Sequence, residues 1–329
     1  MNRFIVIGRV ERGKTRMSSG RVVDILLATH NGSRYLPQLL ESLAAQTDDR
    51  WRVVARDDAS VDETPALLEA FRTGRPGRPD QIDLGREYIG TAANFGRLAE
   101  RSTAPFAMFC DQDDVWMPDK IERLMDRMNA LESRLGSETP ILVHSDLRVV
   151  DADLSLIHPS YWRFQNLVPD RDNLIQLLTQ NIVTGCASLM NRALIKRGLP
   201  IPNRAVMHDH WYALVAVTCG IIDHLDGATV HYRQHAGNTT GAKGWGPGRL
   251  WQQFCLGRSQ YRKKMADSAA QACAFAGRYA DLLSDRQRQA AEALCRLPTQ
   301  SPWRRRRSII RHRLWKKGFV RNCAMLLWA

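Results

Sequence analysis

No stretch of this 329-residue chain supplies the roughly 20 consecutive apolar residues that a membrane-crossing helix needs. The longest apolar candidate, residues 212–222, falls well short. Glycine-rich phosphate fingerprints are missing as well: neither GxGxxG nor GxxxxGK followed by Ser or Thr occurs, which weighs against dinucleotide-binding and P-loop chemistry. The seven cysteines (110, 186, 219, 255, 273, 295 and 323) form no CxxC pair and are odd in number, so the expectation is reduced thiols in a cytosolic setting. Internal repeats are absent. The brief apolar patch at residues 4–7 is followed by Arg9, Arg12, Lys14 and Arg16 and makes no secretory signal; residues 1–20 read as a loose basic arm, with Met17 as an alternative start. After Glu292 there is no acidic residue at all.

What is present is an ordinary globular composition, 44% hydrophobic, with a formal net charge of +13 that calls for a negatively charged partner. The tail carries much of that charge: Arg304, Arg305, Arg306, Arg307, Arg311, Arg313, Lys316, Lys317 and Arg321 alternate with Trp303, Ile309, Ile310, Leu314, Trp315, Phe319 and Trp328. Basic residues mixed with tryptophan at helical spacing describe a helix lying on anionic lipid. A basic helix packed on its own domain is the competing reading, and no nucleic-acid motif accompanies the charge, so no nucleic-acid partner is expected.

The pattern along the chain alternates. Residues 22–29 (VVDILLAT) form a nearly continuous apolar run of the kind buried on both faces of a parallel sheet. Leu36, Leu39, Leu40 and Leu43 follow at helical spacing, with Pro37 in the first turn. Residues 51–55 read as a second strand, and Ser60 with Glu63 as a capping box ahead of a short helix at 66–71. Further strands are expected at 81–84, 106–110, 141–144, 183–190 and 228–232, with helices at 92–101, 118–135, 172–180 and 210–219. Five glycines in residues 237–248 predict a mobile loop, and from about residue 250 the pattern is helical only. The organisation expected is a basic arm (1–20), an α/β domain (21–238), a glycine-rich loop (239–249) and a basic helical region (250–329).

In such a sheet, ligands sit beyond the carboxyl ends of the strands, and the acidic motifs lie at those ends. Thr29-His30-Asn31 follows the first strand, Asp57-Asp58 the second, and Cys110-Asp111-Gln112-Asp113-Asp114-Val115-Trp116 the fourth. Three carboxylates within four residues repel one another unless a hard divalent cation neutralises them, and magnesium or manganese completed by substrate phosphates fits best. A solvated acidic turn capping the next helix is the plainer alternative.

Seven segments then carry a family resemblance: ATHNG (28–32), RDDAS (56–60), CDQDDVW (110–116), VHSDLRVVD (143–151), NIVTGCASLMNR (181–192), HDHW (208–211) and YRQHAGN (232–238). Together they resemble a family 2 glycosyltransferase of the GT-A fold, closest to bacterial rhamnosyltransferase-like members, over about residues 22–238. The resemblance implies a mainly parallel sheet flanked by helices, a helical C-terminal appendage, and an inverting, metal-dependent transfer from a nucleotide-diphosphate sugar, with rhamnose from dTDP-rhamnose as donor. The implied acceptor is a lipid-linked glycan of cell-surface polysaccharide or O-antigen type, reached at the cytoplasmic face of the plasma membrane. A nucleotidyltransferase or phosphohydrolase using the same carboxylates is the rival enzyme class.

The resemblance also assigns residues. Asp111 and Asp113 match the DxD pair, with Asp113 the leading ligand for Mg2+ or Mn2+, Asp111 reaching ribose or metal, and Asp114 capping the next helix or supporting the site. Asp58 matches the residue that accepts the pyrimidine N3 proton, with Thr29 and Asn31 framing base and ribose, while Asp57 caps a turn. Asp209 occupies the catalytic-base position, in a motif where His208 replaces an acid; an N-cap role is its alternative. Gly185 implies an acceptor-side wall, His235 a further metal ligand or a structural histidine, and Arg233 a diphosphate contact. The glycine-rich segment after His235 is expected to close over a water-labile donor.

Overall fold

The computed structural model describes residues 22–170, 173–238 and 247–328. The first half runs β1 (Val23–Thr29), α1 (Leu36–Ala44), β2 (Trp51–Asp57), α2 (Thr64–Thr73), β3 (Gln81–Leu84), α3 (Thr91–Arg101), β4 (Phe106–Asp111), β5 (Val115–Trp116), α4 (Lys120–Leu135) and β6 (Ile141–Val150). It continues through β7 (Leu156–His158), α5 (Tyr161–Phe164), α6 (Leu174–Thr179), β8 (Ser188–Asn191), α7 (Arg192–Gly198), α8 (His208–Cys219) and β9 (Ile221–Arg233). Four helices complete it: α9 (Pro247–Tyr279), α10 (Asp285–Arg296), α11 (Pro302–Arg311) and α12 (Phe319–Trp328).

The strands form one sheet in the order β3-β2-β1-β4-β8-β6-β9-β5, with β7 paired to β6. β1 to β4 are parallel, as are β6 and β9, but β8 is antiparallel to both β4 and β6, and β5 and β7 are antiparallel additions. The sheet is therefore mixed but mainly parallel, with β1, β2, β3, β4, β6 and β9 running one way and the short β5, β7 and β8 against them. The reason is local: Gly185–Ala187 forms a 3-10 turn where a strand was expected, and the short β8 that follows it runs back against β4. β5 escapes sequence reading because it has only two residues, Val115 and Trp116.

The apolar run of β1 is explained by burial on both faces. Ile25 and Leu27 pack with Leu39, Met108 and Cys110, whereas Leu26 packs on the other side with Val54, Phe109 and Tyr212. Helix α1 lays Leu36, Leu39, Leu40 and Leu43 on the sheet, as its spacing dictates. Register then aligns the strand ends: Thr29 pairs with Asp57 and Ala28 with Asp111, so the loop after β1 and the two acid-bearing loops after β2 and β4 leave the sheet side by side at the carboxyl ends of the strands.

Two local expectations fail. Ser60 and Glu63 make no capping box; Glu63 precedes α2 without a side-chain cap, and the Ser60 hydroxyl instead donates to Asp57 Oδ1 at 2.6 Å. Cys273 and Cys295 are disulfide-bonded, tying α9 to α10, so not all thiols are reduced; Cys110, Cys186, Cys219 and Cys323 are free. Their separation of 22 residues carried no spacing signal.

The C-terminal helices share the main core, where Phe275, Tyr279, Leu294 and Ile309 join Phe109, Trp211 and Tyr212. Helix α11 buries Arg305 and Ile309 and turns Trp303, Arg304, Arg307, Ile310 and Arg311 outward, with Trp303 81% exposed. No helix among the described residues is long and apolar enough to cross a membrane. The basic arm at 1–20 lies outside the described residues. So does most of the loop expected at 239–249, although α9 begins at Pro247, earlier than the glycine pattern implied.

Candidate active site

A cavity of about 440 Å³ opens at the carboxyl ends of β1, β2 and β4. Asp58, Asp111, Asp113 and Asp209 all line it, together with Thr29, Gly185, His208 and His235. Residues from six separate sequence motifs thus meet in one concavity, of a volume suited to a small ligand.

Asp58 is held rigidly. Its Oδ1 accepts from Arg56 Nη1 (2.8 Å) and the Ile89 amide (3.0 Å), and its Oδ2 from the Gly90 amide (2.8 Å) at the start of α3. Helix N-termini attract carboxylates, so this acid is fixed before any ligand arrives. Asp57 acts differently, tying Thr29 Oγ1 (2.8 Å) and the Ser60 amide (2.8 Å) into the turn that was expected of it. Asn31, at φ 48°, does not line the cavity; it braces the same turn by accepting from the Val61 amide at 2.9 Å. Gln112 clasps both the amide and the carbonyl of His30, at 2.8 and 2.9 Å, locking the first loop to the acidic one.

The acidic loop carries concentrated charge. Burial, then the charges of Asp113 and Asp209, raises the Asp111 carboxyl to about 7. Asp114 is completely buried and pushed well upward, first by burial and then by Asp113 and Asp111. Its Oδ1 accepts the Arg233 amide at 3.0 Å, while Oδ2 has no protein partner. It supports the site and does not cap α4, whose N-cap is Asp119. Asp113 Oδ2 faces His235 Nε2 at 2.8 Å. Beneath them Lys120 is fully buried, its ammonium 3.1 Å from the Trp116 ring centroid and donating to the Cys186 carbonyl. Burial brings it down to about 8.

These groups fit a hard divalent cation. Asp111, Asp114 and Cys186 bring donor atoms within 4.8 Å of one another, and the orphaned Asp114 Oδ2 and raised Asp111 are what an uncompensated anionic site produces. Cys186 is a poor candidate ligand, because burial raises its thiol and hard cations prefer oxygen. Arg233 does not line the cavity: its guanidinium donates to the carbonyls of Asp113 (2.8 Å) and Ala152, to Gln38 Oε1 (2.5 Å), and lies over the Tyr35 ring. It shapes the acidic loop from behind.

Asp209 stands in the first turn of α8 and lines the same cavity. Its Oδ2 accepts from the Gly185 amide at 3.1 Å and its Oδ1 from the His210 amide at 2.6 Å. Burial raises it to about 6, partly offset by those amides, which is the range a general base needs near neutral pH. His208 stacks on Phe95, centroids 3.9 Å apart, and burial lowers it to about 3, so the ring is neutral. A Cβ at Gly185 would fall 2.7 Å from His208 Nε2, so a larger residue there would have to displace the buried His208 ring.

The match to known proteins decides the family: residues 24–198, more than half of the chain, fit the model of glycosyl transferase family 2. The chain belongs to that family. Among curated relatives it is 30% identical over 103 residues to the dTDP-rhamnosyl transferase RfbG of Shigella flexneri, covering 30% of this chain and 36% of that one. It is 25% identical over 226 residues to an uncharacterized glycosyltransferase of Rickettsia prowazekii, covering 67% and 66%. The chain spans about a third of the length of the first relatives it matches. Solved structures agree on the fold: TarS 1-349 of S. aureus in complex with UDP-GlcNAc (TM-score 0.54, 14% identity, 88% of this chain and 80% of that one), and the mannosyltransferase PcManGT of Pyrobaculum calidifontis in complex with GDP-Man and Mn2+ (0.55, 15%, 94% and 79%). The fold of the chain is thus GT-A-like.

Several site residues of this family 2 chain were not singled out from sequence. Tyr88 packs its ring against His30 in the cavity lining with centroids 4.7 Å apart, an aromatic pair on which a flat base could rest. Tyr88 lies in a stretch without periodicity and gave no signal. Lys120 falls inside the helix expected at 118–135 and gave no signal of its own; only tertiary packing buries it.

Proposed function

We propose that this chain transfers a sugar from a nucleotide diphosphate donor to a glycan acceptor with inversion at the anomeric carbon. The observation that carries the reading is the meeting of Asp58, Asp113 and Asp209 in one cavity although they lie on three separate elements. Asp58, pre-oriented by two amides, receives the base, with Thr29 beside it; Asn31 acts through the turn it braces. Asp111, Asp113 and His235 would hold a magnesium or manganese ion, which would supply Lewis-acid stabilisation of the departing diphosphate. Asp209, in the same cavity, takes the proton of the acceptor hydroxyl as that oxygen attacks. Its amide partners at Gly185 and His210 keep the carboxylate aimed while leaving it basic.

Similarity to the dTDP-rhamnosyl transferase supports rhamnose from dTDP-rhamnose as the donor. Relatives named for teichuronic acid and succinoglycan biosynthesis support a polysaccharide acceptor, here a lipid-linked O-antigen or cell-surface glycan. The outward face of α11, with Trp303 and Ile310 among Arg304, Arg307 and Arg311, supports peripheral attachment to the anionic inner face of the plasma membrane. A panel of UDP-, GDP- and dTDP-sugars, each with and without Mn2+, scored for melting shift and diphosphate release, tests the proposal. A donor that stabilises the protein only with metal and then releases its nucleoside diphosphate is expected. Cleavage of nucleoside triphosphates without use of any nucleotide sugar would favour the nucleotidyltransferase class instead.

A further inference from the structure

The turn that carries Asp209 is gripped from outside the sheet domain. Met207, the N-cap of α8, provides no side-chain cap. Gln271, on α9 and 1% exposed, reaches in from the C-terminal helices and binds the turn instead. Its Oε1 accepts the Val206 amide at 2.8 Å, and its Nε2 lies 3.0 Å from His210 Nδ1. His210 Nε2 in turn lies 2.6 Å from the Leu177 carbonyl of α6.

The direction of every bond in this chain is fixed by chemistry. An amide N–H can only donate, so the oxygen of Gln271 must face Val206 and its NH2 must face His210. Nδ1 of His210 must then present a lone pair, which leaves the proton on Nε2, where a carbonyl awaits it. One tautomer of a neutral ring satisfies all four residues. Burial brings His210 down to about 4, and Lys316 opposes a second proton. Asp209 is the next member, because the His210 amide is its closest partner.

We infer that Gln271 is a positioning residue for Asp209, through which the C-terminal helices take part in setting the catalytic carboxylate. The inference rests on the reading of Asp209 as the base. Helix α9 is well suited to transmit position: Phe275 and Tyr279 pack their rings on Trp211 of α8, at 5.8 and 6.1 Å, and the Cys273–Cys295 bond fastens α9 to α10 close by. A glutamine this deeply buried, bonded both to Val206 just before the HDHW motif and to His210 within it, ties α9 to that turn rather than leaving it a surface attachment.

The test is Gln271→Met, which keeps the volume and removes both bonds, beside Gln271→Glu, which keeps the acceptor for Val206 but offers His210 no donor. For Gln271→Met, turnover of the best donor in the panel should fall by about 10²-fold in kcat with little change in KM, the scale expected of a small misplacement of a catalytic group. The Asp209 carboxyl, followed by carbon-13 NMR without any substrate, should titrate higher than in the parent protein, because the His210 amide that holds it down is loosened. In Gln271→Glu the nitrogen-15 signals of His210 should show a proton on Nδ1. If Gln271→Met melts early, Gln271→Glu carries the same measurements. Unchanged kcat and an unmoved Asp209 titration in these variants would overturn the inference, as would a parent His210 protonated on Nδ1. The NMR readouts need no turnover, so an inactive parent protein whose Asp209 titration shifts in the variant refutes the transferase reading and leaves the positioning role intact.

Discussion

His235 Nε2 lies 2.8 Å from Asp113 Oδ2, joining the last motif of the sheet domain to the acidic loop across 122 positions of sequence. The pair holds a nitrogen and a carboxylate at hydrogen-bond distance on the cavity wall, and on the proposed reading both would serve as ligands to a divalent cation. His235→Ala should weaken Mn2+ binding by about 10- to 100-fold, the usual cost of losing such a partner. Isothermal titration with the metal and a nucleoside diphosphate measures it; equal affinity would assign His235 a purely structural role.

The activity of this chain should depend on pH through Asp209. Its carboxyl is raised to about 6 and must be ionised to accept a proton, so the rate should be nearly full above that value and fall as pH drops through it. Asp209→Asn should lose about 10²- to 10⁴-fold in kcat, the range for removing a general base, and keep donor binding. A pH–rate profile with no limb near 6 would remove Asp209 from the base role.

Replacing Cys273 by Ser opens the link between α9 and α10. A loop of this length contributes about 3 kcal/mol through the unfolded chain. Chemical denaturation with and without reductant should show that loss in the parent protein and none in the variant. If reductant leaves the parent unchanged, the two thiols are not bonded in solution.

The exposed face of α11 should determine membrane partition. Each basic residue near an anionic surface contributes about 1 kcal/mol, so replacing Arg304, Arg307 and Arg311 by Ala should lower affinity for phosphatidylserine vesicles by about 10²-fold. Flotation of vesicles at low and high salt measures this. Equal flotation of the triple variant would exclude α11 as the contact.

Much of this was legible before the fold was seen. The two-faced burial of β1, the helical spacing of α1 and the acidic strand ends all follow from local pattern, and they locate the cavity. The mixed sheet was not legible, because Gly185–Ala187 and the two-residue β5 are too short to leave a period. Arg233 has the composition of a phosphate ligand, yet its partners Ala152 and Gln38 come from distant segments, and only tertiary structure shows the guanidinium serving the loop from behind. Gln271 was invisible for the same reason: one glutamine in an alanine-rich helix carries no signal until Val206 and His210 are found on either side of it.

Whether the gathered carboxylates bind a nucleotide's diphosphate through a divalent ion decides the assignment of this site. Titration calorimetry of dTDP and UDP with and without Mn2+, on the parent protein, Asp113→Ala and Asp209→Asn, addresses that directly. Binding that requires Mn2+, disappears in Asp113→Ala and survives in Asp209→Asn is the predicted result; binding indifferent to the metal and to Asp113 would contradict it.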